Sequence, residues 1–352
     1  MSVRYHISRK VGTILYGRTI SLFFAAASLI TSALFTGYDL AGQRPTPQTP
    51  QPVVNVTETQ PPPTTLPPVV PVTEAPQPDH GEILRQQYAQ ATRNINGSHF
   101  FIYDPQTYRM IYSNTEPADK LYPASITKLY TAYLALQYLD PDTVITAGDE
   151  LALVQPGSST AFIARGHRLR VDMLVEAMLL PSGNDAAYVL AAAAGRVIAG
   201  QSQLSGKEAV AAFVSEMNQE AFRMGMVNSN FTNPDGFHDE YHFSCPQDVA
   251  IFASLAMAEP VVAGYAKLCA DAVTFESGQV ITWYNTNRLV NPKSDSYCPN
   301  AIGAKTGYTT EAGYCLLAAF QEDERQLIIG IFGSNQPYDR YDDAIQLWEL
   351  CK

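Results

Sequence analysis

The sequence predicts an α+β fold in which an antiparallel sheet packs against helices that occupy their own stretch of the chain. The order of elements is the first observation, because β-like runs come first, several helices follow, and further strands and one helix close the chain. That order argues against a repeated βαβ unit. Composition is the second: of 352 residues, 46% are hydrophobic and 16% charged, which suffices for a large core. The net charge of −11 argues against nucleic acid as a partner.

A basic and then apolar segment opens the chain. Residues 1–18 carry four Lys or Arg side chains, and residues 19–38 carry no charge. About 20 apolar residues span a bilayer, and basic residues before the span favour a cytoplasmic N-terminus. A signal anchor is therefore predicted, with a cleavable signal peptide as the alternative. Either kind of segment directs the export of the residues that follow it. We therefore expect the protein on the extracytoplasmic face of the cell membrane, or secreted if the segment is cleaved.

Residues 43–79 form a proline-rich segment, with 12 of the chain's 24 prolines between Pro45 and Pro78. Proline fixes φ and lacks an N–H donor, so neither a helix nor an inner strand is expected. At about 3.1 Å per residue, the extended segment could reach on the order of 100 Å. A spacer is therefore predicted, and a Pro-x-x-Pro ligand for a partner domain stays open as the alternative.

From residue 80 onward the sequence has the pattern of one globular domain. Two β-rich runs at 100–103 and 108–112 flank a turn-forming Asp-Pro-Gln-Thr segment and predict a hairpin. Helices are predicted at 125–136, 171–180, 185–199, 206–224, 246–258 and 338–351. Further strands are predicted at 273–275, 280–284, 301–306, 314–320 and 326–332. Ser244 is expected to cap the helix that begins at Pro246.

The domain contains five cysteines, Cys245, Cys269, Cys298, Cys315 and Cys351. None forms a Cys-x-x-Cys pair, so the spacing argues against a zinc ribbon. Their number is odd, which leaves at least one thiol without an intramolecular partner, and most are expected to be buried small hydrophobic residues. If the domain is extracellular, one disulfide is feasible, and Cys269 with Cys298 is the pair expected.

The first candidate motif is Ser125-Ile126-Thr127-Lys128, at the start of a predicted helix. Residues i and i+3 share a helix face, so the lysine amine lies beside the serine hydroxyl. Serine is a weak nucleophile that needs a base, and lysine can be that base if burial lowers its pKa. Alone, the motif fits a capped helix with a solvated lysine equally well.

The second candidate motif is Ser182-Gly183-Asn184, which follows Pro181 in a predicted turn between two apolar helices. A serine hydroxyl there can relay a proton. The amide of Asn184 can hold a substrate backbone or the lysine of the first motif. The alternative is an ordinary helix boundary with Asn184 as its cap.

The third candidate motif is Lys305-Thr306-Gly307-Tyr308, at the end of a β-like run. A lysine on a strand edge can bind a carboxylate, and Thr306 can add a hydroxyl donor. Gly307 lets the backbone lie close to a ligand, because glycine has no Cβ. The alternative is an ordinary surface strand and turn.

Together, the order and spacing of the three motifs are far more specific than any one of them. With Asn233-Pro-Asp-Gly236 they make residues 98–350 resemble the serine-type D-alanyl-D-alanine carboxypeptidases, the low-molecular-mass penicillin-binding proteins. The resemblance implies a β-lactamase/transpeptidase-like fold, with an antiparallel sheet flanked by helices and an all-helical subdomain. It makes residues 80–352 the catalytic domain.

Members of that family remove the terminal D-alanine of peptidoglycan stem pentapeptides, and the resemblance implies the same substrate here. By motif, Ser125 attacks the scissile carbonyl and Lys128 acts as the acylation base. Ser182 and Asn184 complete the proton network and hold the substrate. Roles in peptidoglycan biosynthesis, the cell wall and cell shape follow from the same resemblance.

The resemblance also assigns substrate binding to Lys305, Thr306, Gly307 and Tyr308. Lys305 and Thr306 face the terminal carboxylate, and the backbone N–H groups of Tyr308 and Ser125 form the oxyanion hole. β-Lactams are implied as inhibitors that acylate Ser125, because they mimic the D-Ala-D-Ala end. Neither a metal nor an organic cofactor is implied.

Three other hypotheses stay open. A β-lactamase shares the fold and two motifs, although the carboxylate-bearing stretch that class A enzymes use for deacylation is not evident. His238 and His242 have the i, i+4 spacing of a zinc site, but the preceding Asn-Pro-Asp-Gly predicts a loop. A catalytically inactive, cell-wall-binding scaffold is the third. Arg288 is a further candidate cation for the carboxylate, and the sequence does not fix its register.

Some family members carry an extra β-rich domain and a C-terminal amphipathic helix that holds them at the membrane. In this sequence the predicted closing helix is followed directly by Lys352. The apolar segment at 19–38 is therefore expected to serve as the anchor instead.

Overall fold

A computed structural model describes residues 80–352. The predictions for the basic N-terminus, the apolar segment and the proline-rich spacer fall on residues outside the described part of the chain.

In chain order the helices are α1 His80–Ala91, α2 Thr127–Leu136, α3 Val171–Leu179, α4 Asn184–Ile198, α5 Gly206–Arg223, α6 Pro246–Ala258, α7 Pro260–Ala266 and α8 Asp339–Glu349. The strands are β1 His99–Asp104, β2 Arg109–Ser113, β3 Val144–Thr146, β4 Arg168–Arg170, β5 Ala270–Thr274, β6 Val280–Tyr284, β7 Ala301–Thr309, β8 Gly313–Glu322 and β9 Arg325–Ser334. Among these helices no single one is long and apolar enough to cross a membrane, and α6 with α7 reaches that standard only as a pair bent by 95°.

The central sheet has five strands in the order β2-β1-β9-β8-β7, and every neighbouring pair is antiparallel. Successive side chains of a strand point to opposite faces, and both faces of this sheet are covered. Phe101 and Tyr103 of β1 join a core shared with α2 to α6, whereas Phe100 and Ile102 join the core beneath α8. Strand β7 forms one edge of the sheet, and this edge borders the candidate site.

Helices α2 to α5 make up the helical subdomain. The Ala-rich pattern of α4 predicts a buried helix, and every residue from Asn184 to Gly195 is buried. Helix α5 begins with a capping box in which the Ser205 hydroxyl accepts from the Glu208 N–H and the Glu208 carboxylate accepts from the Ser205 N–H. The subdomain is not purely helical, because β3 and β4 form a short antiparallel ladder within it.

The predicted fold class is confirmed, as are the β1–β2 hairpin and the six helices predicted between residues 125 and 351. Helices α1 and α7 and the three-residue strands β3 and β4 were not predicted. The seven residues of α7 and the two strands are too short for a periodic pattern, whereas α1 is mostly polar and exposed and so lacks an apolar face. The predicted cap of α6 is wrong. Cys245 precedes that helix, and the Ser244 backbone pairs with Leu121 while its hydroxyl lies 2.8 Å from the hydroxyl of Ser229.

The predicted Cys269–Cys298 disulfide is also wrong. All five cysteines are free thiols. Cys269 is exposed beyond the end of α7, whereas Cys298 is buried in the core beneath α8. The two thiols therefore lie in different environments of the fold, which sequence spacing could not reveal.

Candidate active site

Ser125 is the middle residue of a 3₁₀ turn, Ala124–Ile126, that leads directly into α2. Lys128 lies one helical turn further on, and its Nζ is 2.8 Å from Ser125 Oγ. The i, i+3 spacing thus brings hydroxyl and amine together as the sequence predicts. Neither side chain depends on a distant part of the chain for this contact.

Two glycines let neighbouring segments close on this turn. A Cβ at Gly236 would lie 1.8 Å from Ala124 O, and one at Gly307 would lie 3.2 Å from Ser125 N. Ala124 itself has a φ of +48°, a conformation that non-glycine residues adopt at a cost of about 1–3 kcal/mol. The turn that presents Ser125 is therefore held in a strained shape by close packing on two sides.

The Lys128 side chain is completely buried. Its Nζ lies 2.6 Å from the backbone oxygen of Asp235 in addition to Ser125 Oγ. Burial lowers the pKa of Lys128 to about 8, against the opposing effect of the Asp235 and Asp185 carboxylates. At pH 7 roughly a tenth of this lysine is then a neutral amine, which is the form that can accept a proton.

Ser182 sits in the turn between α3 and α4 with a φ of +63°. Its Oγ lies 2.9 Å from Lys305 Nζ, although 123 residues separate the two in the chain. Lys305 is 1% exposed and also donates to the backbone oxygen of Thr306 at 2.9 Å. Burial lowers the pKa of Lys305 well below its usual range, and the positive charges of Lys128 and Arg340 lower it further.

The first turn of α4 anchors a loop beside the groove. The Asp185 carboxylate accepts hydrogen bonds from the backbone N–H groups of Ala161 and Ile163, each at 2.9 Å. The N–H of Asn184 donates to Ser159 O at 2.8 Å. Because Asp185 is buried, these charge-assisted bonds fix the loop firmly against α4.

These elements surround a groove of about 680 Å³. Predicted site residues that line it are Ser125, Ser182, Asn184, Thr306, Gly307 and Tyr308. The amines of Lys128 and Lys305 lie buried behind this lining, each bonded to one of the two serines. The third motif lies at the end of its strand as predicted, and β7 extends from the predicted end at residue 306 to Thr309.

Arg340, in the first turn of α8, lines the groove and was not predicted. Its Nη1 donates to the backbone oxygens of Gly307 and Cys315, both at 3.1 Å, which ties α8 to β7 and β8. Arg288, the cation considered from the sequence, stacks on the Tyr338 ring at 4.7 Å and is not part of the groove lining. No motif surrounds Arg340, so only the packing of α8 reveals its place.

The two histidines of the zinc hypothesis have separate partners. His242 is buried, with Nε2 2.9 Å from Thr127 Oγ1 and Nδ1 accepting from the Thr232 N–H at 3.2 Å. Burial lowers the pKa of His242 to about 4. His238 faces Glu311 instead, with 3.7 Å between Nδ1 and Oε2. In the described part of the chain no three His, Cys, Asp or Glu side chains are grouped to hold a metal ion.

Comparison with known proteins gives consistent matches. The profile of the family Peptidase_S11, D-alanyl-D-alanine carboxypeptidase, matches residues 85–336. D-alanyl-D-alanine carboxypeptidase DacF of Bacillus subtilis (strain 168) is 29% identical over 251 residues, which are 70% of this chain and 59% of that protein. A D-alanyl-D-alanine carboxypeptidase of Streptomyces sp. (strain K15) is 31% identical over 236 residues, 63% of this chain and 76% of that one.

Solved structures agree with these relatives. The crystal structure of the Streptomyces K15 DD-transpeptidase superposes with a TM-score of 0.65 at 27% identity and covers 73% of this chain and 97% of that chain. This chain spans less than two thirds of the length of the Bacillus relative. The matched residues include all three motifs and nearly the whole described domain, so the chain belongs to the D-alanyl-D-alanine carboxypeptidase family, Peptidase_S11.

Proposed function

We propose that this domain hydrolyses the terminal D-Ala-D-Ala bond of peptidoglycan stem pentapeptides through an acyl-enzyme on Ser125. One observation carries the proposal: Ser125 Oγ lies 2.8 Å from the amine of a buried lysine whose pKa is lowered to about 8. A serine hydroxyl beside a partly neutral amine is an activated nucleophile. The family match to D-alanyl-D-alanine carboxypeptidases supports this activity over the β-lactamase and inactive-scaffold hypotheses.

In the acylation step, Lys128 accepts the hydroxyl proton as Ser125 Oγ bonds to the carbonyl carbon of the penultimate D-alanine. Negative charge develops on the carbonyl oxygen, and we assign its stabilisation to the backbone N–H groups of Ser125 and Tyr308. Gly307 supports this assignment, because it allows β7 to lie against the Ser125 turn. One such donor typically contributes about 10²–10³ in rate.

The departing D-alanine amine needs a proton, and we assign its delivery to the second serine–lysine pair, which passes on the proton that Lys128 took from Ser125. Ser182 Oγ lines the groove and lies 2.9 Å from Lys305 Nζ. For the terminal carboxylate we propose Thr306, whose hydroxyl lies 2.6 Å from that of Thr286, and the guanidinium of Arg340. Arg340 replaces Lys305 in this role, because the Lys305 amine is buried against Ser182 and does not line the groove. A water then attacks the acyl carbon, the bond from that carbon to Ser125 Oγ breaks, and one water proton passes to Oγ, which releases the shortened peptide and restores the Ser125 hydroxyl.

For the location of the protein we propose export by the apolar segment at 19–38, with residues 43–79 as an extended spacer. The uncharged run, its basic flank and the local proline content support this arrangement. Such an anchored enzyme would act on peptidoglycan at a distance from the bilayer. Protease accessibility of the domain in intact cells and in inverted vesicles tests the orientation.

Mass spectrometry after exposure to penicillin tests the catalytic proposal. We expect a stable adduct on the peptide that contains Ser125 and release of D-alanine from a peptide that ends in D-Ala-D-Ala. Ser125→Ala should abolish both, whereas Ser202→Ala, which changes an exposed serine, should behave as the native protein. An adduct on another residue, or D-alanine release by Ser125→Ala, contradicts the proposal, and rapid loss of the adduct would favour a β-lactamase.

A further inference from the structure

The groove contains a carboxylate to which the proposed mechanism gives no role. Glu311, on the turn between β7 and β8, is the single carboxylate among the described residues that line the groove. Its side chain is 46% exposed, and its Oε2 lies 3.7 Å from Nδ1 of His238. His238 is held edge-on against Tyr122, with 5.0 Å between ring centroids, so the position of this pair is defined.

The course of β7 fixes where Glu311 lies relative to the reacting bond. Thr306, proposed for the terminal carboxylate, is followed by Gly307, which packs against Ser125. Glu311 comes four residues after Gly307, on the side away from Thr306. Strand β7 ends at Thr309, where it pairs with Gly313, and Glu311 lies in the turn between the two strands, beyond the nucleophile.

The order of Thr306, Gly307 and Glu311 along the chain sets the direction of a peptide bound along the free edge of β7. Its terminal carboxylate lies at Thr306 and its scissile carbonyl at Ser125, so the residue before D-Ala-D-Ala extends toward Glu311. Tyr308 and Phe237, 54% and 37% exposed, line the same part of the groove and offer apolar surface to a methylene chain. An aliphatic side chain that ends in an ammonium group fits both features.

We infer that Glu311 is a specificity-determining residue that binds an ammonium group on the side chain of the residue preceding D-Ala-D-Ala. The contact requires that this amine is free and protonated. In the free protein His238 occupies the place of the ammonium group beside Glu311. The inference rests on the proposed function and refines its substrate.

Two peptides that differ in one charge test the inference on the full-length protein. They are acetyl-L-Lys-D-Ala-D-Ala with a free ε-amine and the same peptide with that amine acetylated. Exposed ion pairs are weak, so we expect the native enzyme to favour the free amine about fivefold in kcat/KM. Glu311→Gln should bring this ratio to about 1, and Glu311→Lys should reverse it. Glu324→Gln, the same charge change on an exposed turn at the far end of β8, should retain the native ratio.

The ratio is measured within each variant, so a loss of folded protein cancels. Equal rates for the two peptides in the native enzyme, or an unchanged ratio in Glu311→Gln, would overturn the recognition by Glu311 while leaving D-alanine release intact. If the native enzyme releases D-alanine from neither peptide, the proposed function fails and the inference falls with it.

Discussion

Two serine–lysine pairs meet at one groove, and they are built in opposite ways. Ser125 and Lys128 are three residues apart and lie 2.8 Å from each other at the start of α2. Ser182 and Lys305 are 123 residues apart and lie 2.9 Å from each other across the contact between the α3–α4 turn and β7. In both pairs burial lowers the pKa of the lysine.

The first pair depends on helix geometry, and the second depends on packing. A helical turn places residues i and i+3 side by side whatever surrounds them. Nothing local orients Ser182 toward Lys305, so the helical subdomain and the sheet must dock correctly for that contact to form. We therefore expect the first pair to tolerate small shifts between these parts and the second to be sensitive to them.

Lys128→Met should give the largest loss of activity, and it tests the Ser125–Lys128 pair by itself. Methionine fills the buried site but cannot accept a proton, so penicillin acylation and D-alanine release should fall by about 10²–10⁴. Stability should be maintained, because the change removes a buried charge. Acylation kinetics and thermal unfolding measure the two effects. Lys267→Met, at an exposed lysine, is the control, and near-native acylation by Lys128→Met would show that another group is the base.

The same pair predicts the pH dependence of acylation. In the proposed mechanism the neutral amine of Lys128 is the active form, and the pKa of this lysine is lowered from 10.5 to about 8. The rate of penicillin acylation should therefore rise with pH and level off above about pH 8. The unfolded chain keeps this proton up to a pH near 10.5, whereas the folded protein loses it near pH 8. Lys128 therefore makes the free energy of unfolding increase with pH between about 8 and 10.5. A rate that is flat or falls across pH 8 would argue against Lys128 as the base.

Ser182→Ala tests the long-range pair and should have an intermediate effect, a fall of about 10² in D-alanine release. If Ser182 and Lys305 act as one proton relay, the double variant Ser182→Ala/Lys305→Met should cost no more than the larger single change. Steady-state rates of the four proteins give the coupling. Strictly additive losses would show that the two residues act independently despite their 2.9 Å contact.

Asp185→Asn should have the smallest effect on the chemistry and a clear one on stability. The change weakens the bonds from Ala161 and Ile163, and a buried donor left unsatisfied costs about 1–3 kcal/mol. Urea denaturation measures the free energy of unfolding, with Asp142→Asn at an exposed position as the control. D-Alanine release should fall less than about tenfold. An unchanged unfolding free energy would mean that the loop is held by other contacts.

Secondary structure and side-chain contacts were predicted correctly from the sequence where the pattern is local or the segment is long. The buried helix α4, the β1–β2 hairpin and the Ser125–Lys128 contact follow from side-chain periodicity over a few residues. Sequence reasoning missed short segments such as β3, which have too few residues for a periodic pattern, and it failed for the Ser244 cap, where a tertiary contact replaces the local one. The Cys269–Cys298 pairing failed because spacing along the chain does not show which cysteines lie close together.

The sequence by itself therefore determined the fold class, the family resemblance and the pair of residues that we propose as nucleophile and base. The tertiary structure alone decided that Lys305 points to Ser182 and that Arg340 rather than Arg288 lines the groove. It also decided that Glu311 is the single carboxylate among the described residues that line this groove. The reason is physical. A helical turn or an alternating strand fixes neighbours through backbone geometry, whereas contacts between distant segments depend on how separately formed elements pack and which side chains that packing leaves exposed.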